Sequence, residues 1–314
     1  MTTKTHVSSN NIKYKNCNLC ESDDTKLWAE YDEIKIVQCN RCGLIYKNPV
    51  FKDVDPASLY EKEYWINPER EQKDEKHNRN IMYDLEIKKL ELYLNGGKIF
   101  DCGCGHGIFL SLLDGKWEKY GCDPSVYGID YAKKEHGLQN VYCGTIFDSD
   151  LPDGTFDAIY MRGVIHHTSN PKETLLRAHK MLRKNGLLAI TMSANFGSIC
   201  ARLFQDRFHL IDGVRNNYFF SAKTLKMMLR KTSFLPEEIW NPYFGTGYAS
   251  WKDITDLIIN FCKIKMHFLT HGKGLKNSKD FFKYGVLGSN CIKSQIRSSP
   301  FYGNIMCIYS RKDG

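Results

Sequence analysis

A short stretch of the chain combines an acid with three closely spaced glycines. It reads Asp-Cys-Gly-Cys-Gly-His-Gly, follows the apolar pair Ile99-Phe100 and precedes Ile108-Phe109-Leu110. This order predicts a strand, a turn and a helix at the edge of a parallel sheet where ligands bind. Because glycine has no side chain, a cofactor can approach the backbone closely there. The candidate cofactor-binding residues are Asp101, Gly103, Gly105 and Gly107.

The spacing of these glycines separates two classes of cofactor. Dinucleotide-binding folds use G-x-G-x-x-G and place the pyrophosphate over the helix N-terminus. Here the third glycine comes one residue early, and Ile108 stands in its expected place. A second acid, Asp123, ends another predicted strand 22 residues after Asp101. An acid at about this distance is placed to accept hydrogen bonds from ribose hydroxyls.

Four cysteines near the N-terminus have the spacing of metal ligands. Two C-x-x-C pairs are separated by 18 residues, and Gly43 gives the second pair the backbone freedom of a tight turn. Two disulfides are the alternative. The polar start of the chain contains no hydrophobic secretory core, so an oxidising compartment is not indicated. A closed four-thiolate site would hold structural zinc. Its ligands would be Cys17, Cys20, Cys39 and Cys42.

Two adjacent histidines, His166 and His167, follow a buried apolar run at residues 158–161. Histidine is the side chain best suited to take a proton near neutral pH, so either one is a candidate general base, with His167 favoured. Histidines in such a place also often only pack or cap. Weaker candidates are Asp148, Asp150 and His209.

The elements that must position these residues alternate along the chain, which predicts an α/β fold. A helix is predicted to open at Pro171 and to stop at Asn185-Gly186. The later strands are predicted at 141–143, 158–161, 187–192, 234–239 and 306–309.

The ordered motifs, from D-C-G-C-G-H-G to "LPDGTFDAIYMRGVIHH…NPKETLLRAHKMLRKNGLLAITM", resemble class I S-adenosylmethionine-dependent methyltransferases over residues 80–240. The resemblance implies a doubly wound, Rossmann-like sheet of seven strands with an antiparallel last strand. It also implies that S-adenosylmethionine is the cofactor and that Asp101 helps to hold its methionine amino group. Many relatives carry an acid just after the glycine that follows the third strand, whereas Thr145 stands there. Adenine contacts are therefore expected from backbone groups and Phe147, and Arg162 is a further cofactor-binding candidate.

The N-terminal segments "CNLC…VQCNRCGLIYKNP…LYEKEYW" resemble a bacterial subfamily that includes sugar C-methyltransferases and enzymes of surface-polysaccharide and natural-product pathways. In that subfamily the N-terminal module helps to close the active site. Tyr60 and Tyr64 are therefore expected either to reach cofactor or substrate or to be plain core residues. The expected domains are a zinc ribbon (1–60), a helical linker (61–97), the methyltransferase core (98–243), a helical insertion (244–300) and a final strand (301–314).

The insertion combines helical apolar spacing with many lysines over residues 251–283. A lid, a dimer face, a peripheral membrane contact and a packed helix with a solvated basic flank all fit this pattern. The oligomeric state is left open. A run of 18 apolar residues, which a transmembrane helix needs, does not occur, and the composition favours a cytoplasmic enzyme.

The expected function is methyl transfer to a small-molecule or carbohydrate acceptor, at a hydroxyl oxygen. A sugar C-methyltransferase and an RNA methyltransferase with a substrate-gripping zinc ribbon are the enzyme alternatives, and a cofactor-binding scaffold is the non-enzyme alternative. The net charge of +8 permits an anionic substrate. Nucleic acid is not the expected partner because the segment between Cys17 and Cys42 is rich in acids.

Overall fold

The computed structural model describes part of the chain. Of the predicted insertion, which includes the segment proposed for membrane contact at 251–283, only Ile259, Cys262 and Met266 lie within that part. No helix in the described part is both long and apolar enough to cross a membrane. The described residues are 12–31, 34–51, 58, 60, 62–65, 73–148, 150–204, 208, 210–241, 259, 262, 266 and 303–313.

The N-terminal module is built from short antiparallel strands. Strands β2, β3 and β4 pair in sequence order, and β1 pairs with β5 in a separate ribbon. The first C-x-x-C turn precedes β2, and the second begins at Cys39, the last residue of β3. The pairing of β2 with β3 therefore brings the two turns together. The strands are β1 (Ile12–Lys13), β2 (Thr25–Tyr31), β3 (Ile34–Cys39), β4 (Ile45–Lys47) and β5 (Val50–Phe51).

The second part of the chain alternates helices and strands, as the sequence predicts. Its helices are α1 (Lys62–Trp65), α2 (Lys73–Glu91), α3 (Ile108–Leu112), α4 (Val126–His136), α5 (Pro171–Met181), α6 (Ile199–Phe204) and α7 (Ala222–Lys231). Its strands are β6 (Gly97–Cys102), β7 (Trp117–Asp123), β8 (Asn140–Cys143), β9 (Phe156–Arg162), β10 (Leu182–Ala194), β11 (Tyr218–Phe219), β12 (Phe234–Trp240) and β13 (Ile305–Lys312).

Seven of these strands form one mixed sheet in the order β12-β13-β10-β9-β6-β7-β8. The neighbours from β10 to β8 are parallel, whereas β13 runs antiparallel to both β10 and β12. This confirms the predicted Rossmann-like sheet with an antiparallel last strand. The central strand β9 is buried from Phe156 to Met161, as expected for a strand covered on both faces. The carboxyl ends of β6, β7 and β9 therefore meet at one edge.

The predicted stop of helix α5 at Asn185-Gly186 is wrong. The helix ends at Met181, and Leu182 already pairs with Phe156 as the first residue of β10. The carbonyl of Met181 accepts a hydrogen bond from the amide of Thr155, so the turn before β9 satisfies the helix end. Asn185 does adopt a left-handed conformation, with φ of 59°, but within the irregular start of β10.

The N-terminal sheet and the large sheet are joined by strand β11. Tyr218 and Phe219 pair antiparallel with Tyr46 and Ile45 of β4, so β11 becomes the edge strand of the N-terminal sheet. The buried side chains of the cysteine turns share one apolar cluster with the core, in which Cys17 and Tyr46 join Phe100. The N-terminal module is therefore docked on the core by both backbone pairing and apolar contact.

Candidate active site

The glycine turn between β6 and α3 has a backbone that requires glycine. Gly103, Gly105 and Gly107 all adopt positive φ angles, of 79°, 52° and 74°. Side chains other than glycine rarely occupy this region. A Cβ on Gly105 would also lie only 2.5 Å from the ring of Trp65. The structure thus brings the three predicted glycines together in one close-packed turn.

Asp101 lies at the end of β6 beneath this turn and is almost fully buried. Its Oδ1 atom has no hydrogen-bond donor among the described residues. Burial, followed by the negative charge of Asp123, raises the pKa of Asp101 to about 8, although the positive charge of Arg162 opposes the shift. A buried carboxyl oxygen that lacks a protein donor is suited to receive one from a ligand, such as an ammonium group.

Asp123 ends the neighbouring strand β7 and ties it to the glycine turn. Its Oδ2 accepts a hydrogen bond from the amide of Gly105, and its Oδ1 accepts one from the amide of Ser125, both at 2.9 Å. Burial raises the pKa of Asp123, and these two hydrogen bonds counteract the rise. Each carboxylate oxygen has a second lone pair, so the predicted contact with ribose hydroxyls is compatible with both bonds.

The turn after β8 carries Thr145 at the position where an acid was expected. The carboxylate of Asp148 folds back and accepts hydrogen bonds from the amide and the hydroxyl of Thr145, both at 2.7 Å. These bonds hold the pKa of Asp148 below its ordinary value. Phe147 is 54% exposed beside this turn, where a planar ligand group could pack against it. Its adenine contact stays a prediction.

Arg162 lies in a buried polar network that the sequence did not reveal. Its Nε donates to Glu86 at 3.2 Å, and its guanidinium lies 4.3 Å from the centre of the Tyr83 ring. Glu86 is fully buried and also accepts hydrogen bonds from the hydroxyls of Tyr160 and Thr191. Glu86 is four residues from both Met82 and Leu90 on α2, so its place on a buried helix face was the available signal.

Three aromatic residues make ring contacts from the glycine turn to the histidines, and we call Tyr60, Tyr64 and Trp65 the aromatic lid. The Trp65 indole lies 2.9 Å from the Ser125 hydroxyl through its Nε1 and stacks on His106 with ring centres 4.3 Å apart. The Tyr60 ring lies 5.9 Å from that of His167. The lid therefore spans the distance from the glycine turn to the histidines.

His167 lies in the loop after β9, and its ring nitrogen Nδ1 is 3.2 Å from the backbone carbonyl of Arg215. A carbonyl oxygen only accepts hydrogen bonds, so Nδ1 must carry the proton, and Nε2 of the neutral ring keeps its lone pair. Burial lowers the pKa of His167, although the bond to Arg215 opposes this shift. The neutral ring is therefore the dominant form at neutral pH.

His166 differs from its neighbour. Burial lowers its pKa well below the ordinary value, and its Nδ1 meets no hydrogen-bond partner in the described part of the chain. The two rings lie 4.1 Å apart. The structure thus places both histidines together but gives only His167 a defined tautomer. Asp150 is exposed, and His209 lies outside the described residues.

Arg215 and Asn217 are site residues that sequence reasoning missed as such. Arg215 forms an ion pair with Asp212 at 3.0 Å, and its guanidinium lies 5.0 Å from the centre of the Tyr64 ring. The side-chain amide of Asn217 donates to the carbonyl of His167 at 2.7 Å. No motif marks either residue, because their role depends on contacts with a loop almost 50 residues earlier.

The four N-terminal cysteines converge, with their sulfur atoms all within 4.8 Å of one another. The Cys17 and Cys42 sulfurs lie 3.4 Å apart, and those of Cys20 and Cys39 lie 3.5 Å apart, as free thiols. Burial raises the pKa of Cys42 to about 11, and a bound cation would favour the thiolate form that ligates metal. Four sulfur donors at this spacing fit a tetrahedral zinc ion rather than two disulfides.

Curated proteins of one name are similar to part of this chain. A tRNA U34 carboxymethyltransferase of Shewanella frigidimarina is 31% identical over 159 residues, which is 48% of this chain and 47% of that protein. The enzyme of the same name from Desulfotalea psychrophila is 28% identical over 155 residues, which is 47% of this chain and 48% of that protein. The chain therefore spans about half the length of the curated relatives it matches.

A solved structure shares the fold. It is a Galdieria sulphuraria protein provisionally assigned as a sarcosine dimethylglycine methyltransferase, with a TM-score of 0.50 and 12% identity, and the alignment covers 83% of this chain and 99% of that one. At this identity the likeness concerns the fold alone. The family described as a methyltransferase domain matches residues 76–237, slightly more than half of the chain. The chain belongs to this family.

Proposed function

We propose that the protein methylates a hydroxyl oxygen of a small-molecule or carbohydrate acceptor, with His167 as the general base. The observation that carries the proposal is the contact between His167 Nδ1 and the Arg215 carbonyl. It leaves Nε2 of a neutral imidazole free to accept a proton. His166 lacks such a contact and is proposed to support the loop.

The residues around the glycine turn fit S-adenosylmethionine. Asp101, with its unsatisfied Oδ1, would receive the amino group, and Asp123 would accept from the ribose hydroxyls. Phe147 would pack on the adenine. The positive charge of Arg162 would favour the charged form of Asp101. When bound, S-adenosylmethionine supplies a methyl group that its positively charged sulfur makes electrophilic.

The chain's own task is then to align the acceptor, remove its proton and exclude water. During the transfer, Nε2 of His167 would take the hydroxyl proton of the acceptor. The aromatic lid lies over both ends of this path, since Trp65 contacts the glycine turn and Tyr60 contacts His167. The four cysteines are proposed to hold structural zinc, because a site closed by four thiolates has no open position for substrate.

The cofactor site has a testable pH dependence. An ammonium group beside Asp101 favours its charged form, so binding should lower the pKa of Asp101 from about 8 and release a proton near pH 7. Affinity should accordingly fall as the pH drops below 8. Titration calorimetry with S-adenosylhomocysteine in buffers of different ionisation heat measures the released proton. Asp101→Asn should abolish the release, and an unchanged proton count in this variant would contradict the assignment.

Asp123→Ala should weaken binding of the same ligand by about 1–3 kcal/mol, because it removes the ribose contact and both bonds to the turn. Asp114→Ala is the matched control, since Asp114 is exposed and contacts Lys116 away from the crevice. Calorimetry on the two variants should show a loss for Asp123 alone. Equal affinities would remove Asp123 from the site.

A tRNA acceptor is the second candidate, and the names of the relatives favour it. The ribbon argues against it, because the sequence between Cys17 and Cys42 holds six acids and three basic residues, a formal charge of −3. Phosphate-binding surfaces are instead basic. A sugar carbon is a third possible acceptor, within the carbohydrate class.

One experiment separates these acceptors. The protein is incubated with methyl-labelled S-adenosylmethionine and with low-molecular-weight, polysaccharide or tRNA fractions from cells that lack it. Label in either of the first two fractions supports the proposal, and mass spectrometry of the product, heavier by one CH2 group, locates the methyl on oxygen or carbon. Label in tRNA alone would overturn the small-molecule assignment.

A further inference from the structure

The histidine loop, which we define as residues 163–170, is held at its centre by Asn217. The backbone amide of Asn217 donates to the carbonyl of His166 at 2.9 Å. Its side-chain amide donates to the next carbonyl, that of His167, at 2.7 Å. One residue thus fixes two consecutive peptide groups, and this restricts the backbone that carries the imidazole of His167.

Asn217 is in turn held by the N-terminal sheet. Its carbonyl accepts a hydrogen bond from the amide of Lys47 at 2.9 Å, which continues the pairing of β4 with β11. The Lys47 ammonium donates to the carbonyl of Val214 at 2.8 Å. Strand β4 therefore fixes both sides of Arg215, whose carbonyl receives Nδ1 of His167.

The far end of the histidine loop also contacts the cysteine module. Asn18, between the first two cysteines, donates from its side chain to Asn170 at 2.8 Å and accepts from the amide of Lys172 at 3.0 Å. Asn170 is the N-cap of α5, so this contact fixes the point at which the loop enters the helix. The centre and the far end of the loop are therefore restrained from one structural unit.

We propose that Asn217 is a positioning residue through which the zinc ribbon holds His167 in the tautomer with a proton on Nδ1. The ribbon contacts the far end of the loop through Asn18 and supplies the strand to which Asn217 is paired. Without the Asn217 side chain, the carbonyl of His167 loses this hydrogen bond, and the contact between Nδ1 and Arg215 is no longer enforced. The catalytic meaning of this arrangement rests on the proposed function, but the arrangement itself does not.

Nitrogen NMR of the zinc-loaded full chain, labelled at histidine, tests the proposal directly. The wild-type spectrum should show one tautomer for His167, protonated at Nδ1, with the signal assigned by its loss in His167→Ala. Asn217→Ala should change this signal to that of a mixture of both tautomers. Asn217→Gln keeps an amide donor and should restore part of the single-tautomer signal.

Asn140→Ala is the matched control, because Asn140 is exposed on the distant strand β8 and its loss should leave the spectrum unchanged. Binding of S-adenosylhomocysteine shows that each variant is folded. Zinc removal with a chelator should produce the same tautomer mixture as Asn217→Ala. A single Nδ1 tautomer in both the variant and the zinc-free protein would overturn the proposal, even if thermal stability fell.

Failure of this proposal is distinguishable from failure of the proposed function. If His167→Ala leaves methyl transfer unchanged, the base assignment fails, whatever the tautomer. If the tautomer is insensitive to Asn217 while His167→Ala abolishes transfer, only the positioning role fails.

Discussion

Replacing His167 with alanine should lower the rate of methyl transfer about 10²–10⁴-fold, the usual contribution of a general base. The imidazole is neutral and presents Nε2 as a proton acceptor, and no nearby side chain duplicates that arrangement in the described loop. Affinity for S-adenosylhomocysteine should stay nearly unchanged, because the glycine turn and both acids are intact. Incorporation of labelled methyl into the acceptor fraction measures the rate.

The rate of methyl transfer by the wild-type protein should depend on pH in one direction. A base must be unprotonated, so the rate should fall as the pH drops through the pKa of His167, which burial places below the ordinary 6.5. This acidic limb should disappear in His167→Ala. His166→Ala is the control and should mainly reduce stability. Equal, mild effects of both substitutions would mean that alignment alone drives the transfer and that another group takes the proton.

The sequence predicts best those parts of the structure in which consecutive residues determine the local backbone. A buried strand, an acid and glycines in direct succession leave few alternatives for residues 97–107, and the same holds for the strand before His166. The cysteine cluster was also predictable, because each C-x-x-C pair forms a turn of fixed geometry. In these cases the residues predicted to hold the ligands also determine the local backbone.

The parts that were missed depend on contacts between distant segments. Glu86 reaches Arg162 across 76 residues, and Trp65 reaches Ser125 across 60 residues. The error at the end of α5 has the same origin, since Asn185-Gly186 is a good local stop signal. The amide of Thr155 instead binds the carbonyl of Met181, and tertiary pairing overrides the signal.

Removal of zinc is the second change for which we expect a large effect. The loss of structure should extend beyond the cysteine module. Purified protein should contain about one zinc ion per chain, because the four sulfurs form one closed site. Binding of structural zinc contributes on the order of 10 kcal/mol in small modules, so Cys42→Ser should unfold the N-terminal sheet. Metal analysis and thermal unfolding measure these changes. Cys143→Ser is the control, because Cys143 is exposed and remote from the cluster.

Amide hydrogen exchange measures how far the loss of structure extends beyond the N-terminal sheet. Because Asn18 and Lys47 hold the histidine loop and Asn217, the amides of residues 163–170 should exchange faster in Cys42→Ser. The amides of β6 and β9 should stay protected, since their partners lie within the large sheet. Exchange that increased equally in both regions would mean that the ribbon stabilises the whole core. A zinc-free native protein with four freely titratable thiols would instead remove the metal from the structure.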